Sequence, residues 1–374
     1  MSRTVYHILP DEEPFSEHNG GGLSRWCANV LRDDPDAKIV APSADQTWGF
    51  ASDRVLVTPS LERYGRNRYL RQIYRQSFTF LRDAIIPSLH AVKPGDVLWV
   101  QNDRKHAAAL AGFAKEKGAA LVLHMHNSIP IRTTSRKVIR ELAKIKIVCC
   151  SNFLKEETER NFPELKAYRV LLNGADAKRF SPRESTHNAA TDGPMTVLFA
   201  GRLVKEKGIH VLIDAMRLLE QRGVSARCLV VGATRFGGSK PNSYVRGLQR
   251  RAPANVEFLG YLPAEDLVQT FRDSHIYTAP SDWNDPFPAA IIEAMASGLP
   301  VVASRRGGIP EAFRDGGGIL VSSGSAIELA DALQNILSDP ALQQKLSKEA
   351  RASFLKNFTW STICQGYREI IDSL

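Results

Sequence analysis

YTAPSDWNDPFPAAIIEAMASGLPVVASRRGGIPEA, residues 277–312, decides how the rest of the chain is read. It holds a strand end, a turn with two acids, a helix and a second strand. Asp285 and Glu293 stand eight positions apart, with Pro286, Phe287 and Pro288 between them. Proline at a first helical position sacrifices nothing, because that N–H has no intrahelical partner. A helix over 289–297 closes at Gly298, and Pro300 leads into a buried-type strand, Val301 to Ala303. The amides of Ala289 and Ala290 would lie at the positive end of this helix, where an anion is favoured. Glu293 falls one turn further along. A carboxylate repels an anion and better accepts from sugar hydroxyls, so the spacing suits a phosphorylated sugar.

Outward from this stretch, the second half opens with a strand at 196–199 and the loop AGRLVKEKG at 200–208, then a helix to about residue 219. Arg202 supplies a planar fork and Lys207 a mobile ammonium, a pair suited to a diphosphate. Strands follow at 226–231, ending at Gly232, at 256–259, ending at Gly260, Tyr261 and Leu262, and at 276–279. Main-chain contacts to a nucleotide base are expected near Gly232 and Tyr261–Leu262. Residues 326–358 read as helical and surface-like. Thr359, Trp360 and Tyr367 mark a last amphipathic helix, and polar residues 183–194 read as an interdomain linker.

The first half opens with a strand at 4–9, an acid-rich loop, then Gly20, Gly21 and Gly22 before a helix at 23–31. Strand, glycines, helix is the phosphate-cradling order of a doubly wound domain, although the strict GxGxxG is absent. Short strands are expected at 39–41 and 55–57, longer ones at 96–101, 119–124 and 145–151, and a helix at 152–161. The strand at 119–124 runs into LHMHNS. Ligands gather at the carboxyl ends of strands in such sheets. His124 and His126 are expected on opposite sides of their strand, with His126, nearer the loop, the one to meet a ligand.

At 374 residues the chain suits two domains, and its 43% apolar and 24% charged content is that of a globular protein. No run approaches the ~18 apolar residues of a membrane span, and residues 1–10 lack the features of a signal peptide. The five cysteines show no CxxC spacing and read as buried, reduced thiols. The net charge of +9 is local: residues 62–82 and 132–146 each carry six basic residues against one Glu. In 62–82, Arg63, Arg66, Arg71 and Arg75 alternate with tyrosines and phenylalanines, the pattern of a basic amphipathic helix at an anionic membrane surface. A nucleic-acid partner is not expected, for want of a recognisable fold or stacking platform.

These residues together resemble the retaining glycosyltransferases of family 4. The family pattern P-S-x-W-x-E-P-F, then E-A-M-A-x-G-x-P-V-V, reads here from Pro280 to Phe287 and from Glu293 to Val302. Gly201, Arg202, Lys207 and Gly208 match its Gly-Arg…Lys-Gly element, and Asn173, Gly174, Asp176, Phe180 and Pro182 match landmarks nearer the linker. The resemblance spans the second half and, more weakly, the first. It implies an α/β GT-B fold, two Rossmann-like doubly wound parallel-sheet domains facing a cleft. Expected bounds are 1–182 for an acceptor-binding domain, 183–358 for a nucleotide-sugar-binding domain, and 359–374 for a helix crossing back to the first.

Carried over residue by residue, the resemblance places Arg202 and Lys207 on the donor diphosphate and Glu293 on the ribose. Asp285 would touch hydroxyls of the transferred sugar, and the amides from Phe287 to Ala290 would meet sugar and phosphate. Gly21, Gly22 and His126 would face the reacting centre. The family has Glu where Asp285 stands, so here the carboxylate is set back by about one C–C bond, which bears on sugar preference. Pro288 replaces a frequent Gly.

Breaking a glycosyl–phosphate bond builds negative charge on the leaving diphosphate, and preorganised donors are the largest available catalytic term. Arg202, Lys207 and the helix terminus supply them, so no metal or other cofactor is expected. The one DxD string, Asp34-Pro35-Asp36, reads as a surface turn. The expected activity is anomer-retaining transfer of a hexose-type sugar, from a UDP-sugar first and a GDP-sugar second, to a glycan or lipid-linked acceptor of bacterial surface polysaccharide or lipopolysaccharide. The expected place is the cytoplasm or the inner face of its membrane. Two other classes compete: another GT-B enzyme, such as a sugar-nucleotide epimerase or a phosphorylase-like enzyme, and a non-catalytic nucleotide-sugar-binding protein.

Overall fold

The computed structural model of the protein describes residues 3–11, 13–17, 21–45, 48–58, 85–183, 194–234 and 240–374. The chain divides into two compact units, Met1–Leu172 with Cys364–Leu374, and Asn173–Ile363. The first contains β1 (Val5–Ile8), β2 (Phe15–Ser16), α1 (Gly22–Asp33), β3 (Lys38–Ala41), β4 (Ala44–Asp45), β5 (Val55–Val57) and β6 (Val97–Gln101). It continues with α2 (Arg104–Lys117), β7 (Ala120–Met125), α3 (Arg136–Leu142), β8 (Lys146–Cys149), α4 (Asn152–Asn161) and β9 (Ala167–Val170). Every residue of β1 and β6 is buried. Strands buried along their whole length are covered on both faces, the condition of a parallel sheet. The sheet is parallel in the order β5-β3-β1-β6-β7-β8-β9, so its order reverses between β1 and β6. β2 and β4 form a separate small pair.

The second unit contains β10 (Met195–Ala200), α5 (Ile209–Gln221), β11 (Ala226–Val231), α6 (Ser243–Arg251), β12 (Val256–Gly260), α7 (Ala264–Asp273) and β13 (Ile276–Ala279). There follow α8 (Ala289–Ala296), β14 (Val301–Ser304), β15 (Gly318–Val321), α9 (Ala326–Ser338), α10 (Pro340–Asn357) and α11 (Trp360–Asp372). The parallel sheet runs β12-β11-β10-β13-β14-β15, with its reversal between β10 and β13. Val197, Phe199 and Val230 of the sheet pack with Leu212 and Met216 of α5 and Leu333 and Ile336 of α9 in one core. Both units are therefore α/β, doubly wound and Rossmann-like, as expected.

Three expectations change. The units divide between Leu172 and Asn173, not at 182/183. Residues 173–182 pack on the second unit: Asn173 Nδ2 donates to Phe287 O at 3.0 Å, Ala175 N to Phe358 O at 3.0 Å, and Arg351 Nη1 to Phe180 O at 3.1 Å. The helical stretch 326–358 is broken at Asp339, which accepts from the amides of Ala341 and Leu342 and restarts the chain as α10. α9 lies on the surface with one face inward: Leu329, Ala330, Leu333 and Ile336 are buried, while Glu328, Asp331 and Asn335 are exposed. α11 changes allegiance along its length, because the residues from Cys364 onward belong to the first unit. There Tyr367 is buried, with its hydroxyl 3.0 Å from His7 Nε2.

Asp34-Pro35-Asp36 forms the turn between α1 and β3, with Pro35 and Asp36 exposed. All five cysteines are buried and free. The expected basic helix at 62–82, with Arg63, Arg66, Arg71 and Arg75, lies outside the described residues, as do Gly20 and linker residues 184–193. Among the described residues no helix is long and apolar enough to cross a membrane.

Candidate functional site

In the second unit the reversal of strand order places two loops side by side, 201–208 after β10 and 280–288 after β13. A reversal of this kind leaves a crevice at the strands' carboxyl ends, the usual ligand position in open α/β sheets. The loops touch closely. A Cβ on Gly208, which sits at φ +71°, would lie 1.8 Å from Pro280 O. Asp282 N donates to Glu206 O at 2.8 Å. Across this junction Lys207 Nζ donates to Asp285 Oδ2. The side chains are 19% and 7% exposed, so this is a largely buried ion pair. Removing one member of such a pair strands the other charge, which costs about 3–5 kcal/mol.

The Asp285 turn is braced from the far side by Gly307 and Gly308. Gly308 N donates to Asp285 O at 2.8 Å, and a Cβ on Gly307 (φ +57°) would lie 2.3 Å from that oxygen. Ser323 Oγ stands 3.0 Å from Asp282 Oδ1. After the turn, Phe287 is buried and its carbonyl accepts from Asn173. Pro288 occupies the N-cap of α8 and offers no side-chain cap to the first amides, at Ala289 and Ala290. Glu293 is half-buried on the same helix. The Tyr277 hydroxyl donates to Ala200 O at 3.0 Å. Its pKa is raised first by burial, then by the charges of Glu293 and Asp285. Both carboxylates thus act on one buried phenol beneath the crevice.

Arg202 is exposed, and among the described residues no carboxylate pairs with it. Gly232 has a structural reason for its identity: at φ +135°, a Cβ would lie 1.8 Å from Gly201 O. Its amide donates to Gly260 O at 2.7 Å, drawing the ends of β10, β11 and β12 together. Tyr261 follows, exposed, and Leu262 half-buried.

In the first unit Gly21 is the N-cap of α1. The amides expected to cradle a ligand phosphate are held by the protein itself. Ser24 N donates to Glu13 Oε1 at 3.1 Å, and the amides of Gly21 and Leu23 also donate to that carboxylate. A Cβ on Gly21 would lie 2.7 Å from the same oxygen. Burial raises the Glu13 pKa, while the three amide bonds and the Arg25 charge oppose the rise. A helix N-terminus attracts whichever anion is near, and a carboxylate tethered on the preceding loop is always near.

The two histidines of LHMHNS also correct an expectation. Residues two apart on a strand share a face, and the rings of His124 and His126 lie together, centroids 4.1 Å apart. His124 is fully buried, and burial first, then the His126 charge, holds its pKa well below the usual histidine value. His126 lies just beyond β7, where the end of β6 grips it. Its amide and that of Asn127 donate to Asn102 Oδ1 at 2.9 and 3.0 Å, and its Nε2 lies 3.1 Å from Gln101 Oε1. Asn102 adopts φ +54°, tolerated best by Asn among side-chain-bearing residues, and donates its own amide to His124 O at 2.7 Å.

Known proteins resemble the chain most clearly in its second unit. Residues 181–353 match the family described as glycosyl transferases group 1. The matched stretch lies within the second unit. Spore coat protein SA of Bacillus subtilis is 25% identical over 273 residues, 68% of this chain and 72% of that protein. The GDP-mannose-dependent monoacylated alpha-(1-6)-phosphatidylinositol monomannoside mannosyltransferase of Corynebacterium glutamicum is 27% identical over 287 residues, 71% of this chain and 74% of that enzyme. The crystal structure of Anabaena HepE in complex with UDP and glucose is similar with a TM-score of 0.73 at 20% identity, covering 99% of each chain. That likeness shows the fold, GT-B, with two parallel-sheet Rossmann-like units.

Within the matched stretch the sequence-predicted Lys207, Asp285, Phe287, Ala289, Ala290 and Glu293 fall on one junction and the helix that leaves it. Gly232, Tyr261 and Leu262 lie at the neighbouring strand ends. Gly21, Gly22 and His126 lie in the first unit. Sequence reasoning missed Glu13, Gln101, Asn102 and the Gly307–Gly308 brace. The Gly-Gly pair after a buried strand was a visible signal of close backbone approach. The others are recognisable only from distance. Among the described residues no three His, Cys, Asp or Glu side chains are grouped as metal ligands.

Proposed function

We propose that the protein is an anomer-retaining glycosyltransferase that moves a hexose-type sugar from a UDP- or GDP-sugar to a glycan or glycolipid acceptor. One observation carries this reading: the Lys207–Asp285 pair at the point where strand order reverses, beside the uncapped start of α8. In this reading Arg202, Lys207 and the amides of Ala289 and Ala290 receive the diphosphate, and Asp285 holds Lys207 while accepting from sugar hydroxyls. Glu293 accepts from the ribose, and backbone near Gly232, Tyr261 and Leu262 meets the base. The C1–O bond to phosphate breaks and its electrons pass to the diphosphate, whose charge the protein's own cations meet without metal. The acceptor oxygen bonds to C1 from the same face, and its proton passes to a phosphate oxygen.

The tests separate binding, transfer and mechanism. In a thermal-shift panel of UDP-, GDP- and ADP-sugars, the true donor at a hundredfold its Kd stabilises by about 2.7 kcal/mol. A GDP-sugar is the second reading, favoured by the mannosyltransferase relative. Radiolabelled donor with a glycolipid acceptor is expected to give labelled acceptor at an unchanged rate in EDTA. Epimerised donor, or binding without transfer, would replace this reading with the epimerase or the sensor, and a covalent glycosyl–enzyme adduct would refute same-face attack.

For the acceptor, a lipid-linked glycan at an anionic bilayer fits the basic excess of the first unit, where Arg132, Arg136 and Arg140 are exposed. Vesicle sedimentation should be weakened by salt and by Arg66, Arg71 and Arg75 to Ala.

A further inference from the structure

The loops 201–208 and 280–288 are laced together by more than the Lys207–Asp285 pair. Three residues beyond Lys207, His210 stands in the first turn of α5, and three residues before Asp285 stands Asp282. Their side chains meet: His210 Nε2 lies 3.7 Å from Asp282 Oδ2, and both residues are half-buried. Equal steps in opposite directions thus give two contacts side by side, with the bond from Asp282 N to Glu206 O alongside them. The Lys207–Asp285 contact is the more deeply buried of the two. His210 is itself backed, its Nδ1 lying 3.3 Å from the Tyr244 hydroxyl in the first turn of α6. Asp282 is backed as well. Ser323 Oγ lies 3.0 Å from its Oδ1, and Arg306 Nη2 donates to its carbonyl at 3.4 Å.

We propose that His210 is a positioning residue for the donor site: through Asp282 it holds the 280–288 turn against the 201–208 loop, and so sets the spacing at which Lys207 and Asp285 meet a nucleoside diphosphate sugar. The inference rests on the reading that Lys207 and Asp285 bind the donor. Burial lowers the His210 pKa. The charges of Asp282 and Asp214 oppose that shift, and those of Arg251 and Lys205 add to it. A neutral ring serves both its neighbours in one way only. A carboxylate accepts, so Nε2 carries the hydrogen toward Asp282, and Nδ1 accepts from the Tyr244 hydroxyl. At 3.7 Å the N–H faces the carboxylate as a dipole facing a charge, beyond the range of a hydrogen bond. With the ring fixed from α6, drift of the turn away from α5 breaks this contact and opens the Lys207–Asp285 pair with it.

The test uses the full chain, with UDP and GDP as probes. In calorimetric titration His210→Leu is expected to weaken about tenfold the nucleotide that the wild type binds. His210→Gln, whose amide keeps an N–H toward Asp282, should recover most of that loss. In transfer assays the loss should fall on donor KM with kcat changed little, because a displaced turn weakens ground state and transition state alike. A residue that only supports the fold would lower the urea midpoint and leave nucleotide affinity and KM as they were. That outcome overturns the proposal, as does a Gln variant no better than the Leu variant. A wild type that binds neither nucleotide removes the donor reading instead, and unfolding then decides the positioning claim by itself. If His210 sets the place of Lys207, His210→Leu should shift the urea midpoint less in a Lys207→Met chain than in the wild type. Equal shifts in the two backgrounds overturn the proposal.

Discussion

Lys207 and Asp285 were each singled out in the sequence as candidate ligand groups, but not as each other's partner. They are 78 positions apart and meet only because the strand order reverses between the segments that carry them. The pair makes a stability prediction independent of any ligand. Lys207→Met leaves the Asp285 carboxylate buried and unpaired, and is expected to cost about 3–5 kcal/mol in urea unfolding. Adding Asp285→Leu should recover part of that loss, because the stranded charge is gone. A double variant as unstable as the sum of the singles would show that the two residues act apart. A second residue-scale prediction concerns the buried histidines. Burial lowers the His7 pKa to about 3 and holds that of His124 well below 6.5. The folded chain keeps both rings neutral, whereas the unfolded chain binds their protons below 6.5. The contribution of each is fully present above pH 6.5 and is lost as pH falls from there; for His7 the loss runs toward about 3, at about 1.4 kcal/mol per pH unit. His7→Gln should remove one ring's share of that slope. Superimposable pH–stability slopes for variant and wild type between pH 6 and 4 would contradict the burial argument.

At the scale of elements, most strands and helices were legible because their apolar runs are long and their ends carry Gly, Pro or a capping side chain. The helix of 152–161 agrees with α4 at both ends, and there Ser151 caps the first turn. The failures have equally local causes. The break at Asp339 was written in the dipeptide Asp-Pro, a cap followed by a residue that lacks an N–H, and it was passed over because apolar residues continue on both sides. The glycine turn before α1 was read as a phosphate cradle because the sequence does not say where the Glu13 side chain reaches. Loop contacts supply the prediction at this scale. Gly208 and Gly223 share a left-handed backbone, φ +71° and +72°, but a Cβ on Gly223 would meet nothing within 4 Å. Gly223→Ala should therefore cost only the backbone strain, about 1–2 kcal/mol. Gly208→Ala adds a collision with Pro280 O and must push apart the loops that carry Lys207 and Asp285. It should destabilise by clearly more and weaken nucleotide-sugar binding, measured by thermal shift with and without donor. Equal effects of the two substitutions would mean that the loops tolerate separation.

For the whole molecule, the two-domain organisation was legible from length and from two strand–loop–helix series, whereas the dividing line was not. Residues 173–182 look like the end of the first series, yet their hydrogen bonds to Phe287 and Phe358 and from Arg351 assign them to the second unit. The last helix carries the counterpart of this exchange. Tyr367, Ile370 and Ile371 are buried, and Cys364 with them, all in residues assigned to the first unit. Tyr367 packs against His7, Trp26 and Trp99 with ring centroids at 5.5, 6.1 and 5.1 Å. Tyr168 donates to Ser373 O at 2.8 Å, and Arg368 pairs with Asp33. Burying several large side chains at roughly 1.5–3 kcal/mol each amounts to a sizeable share of the 5–15 kcal/mol that holds a typical domain folded. A chain ending at Ile363 should therefore lose its first unit selectively. Hydrogen exchange in that truncated chain is expected to speed up in β1, β3, β6 and β7, while β10, β11, β13 and β14 keep their protection. Loss of protection spread evenly over both sheets would show that the eleventh helix stabilises the chain as one cooperative body, and unchanged exchange in β1 and β6 would show that Tyr367 covers a core able to stand without it.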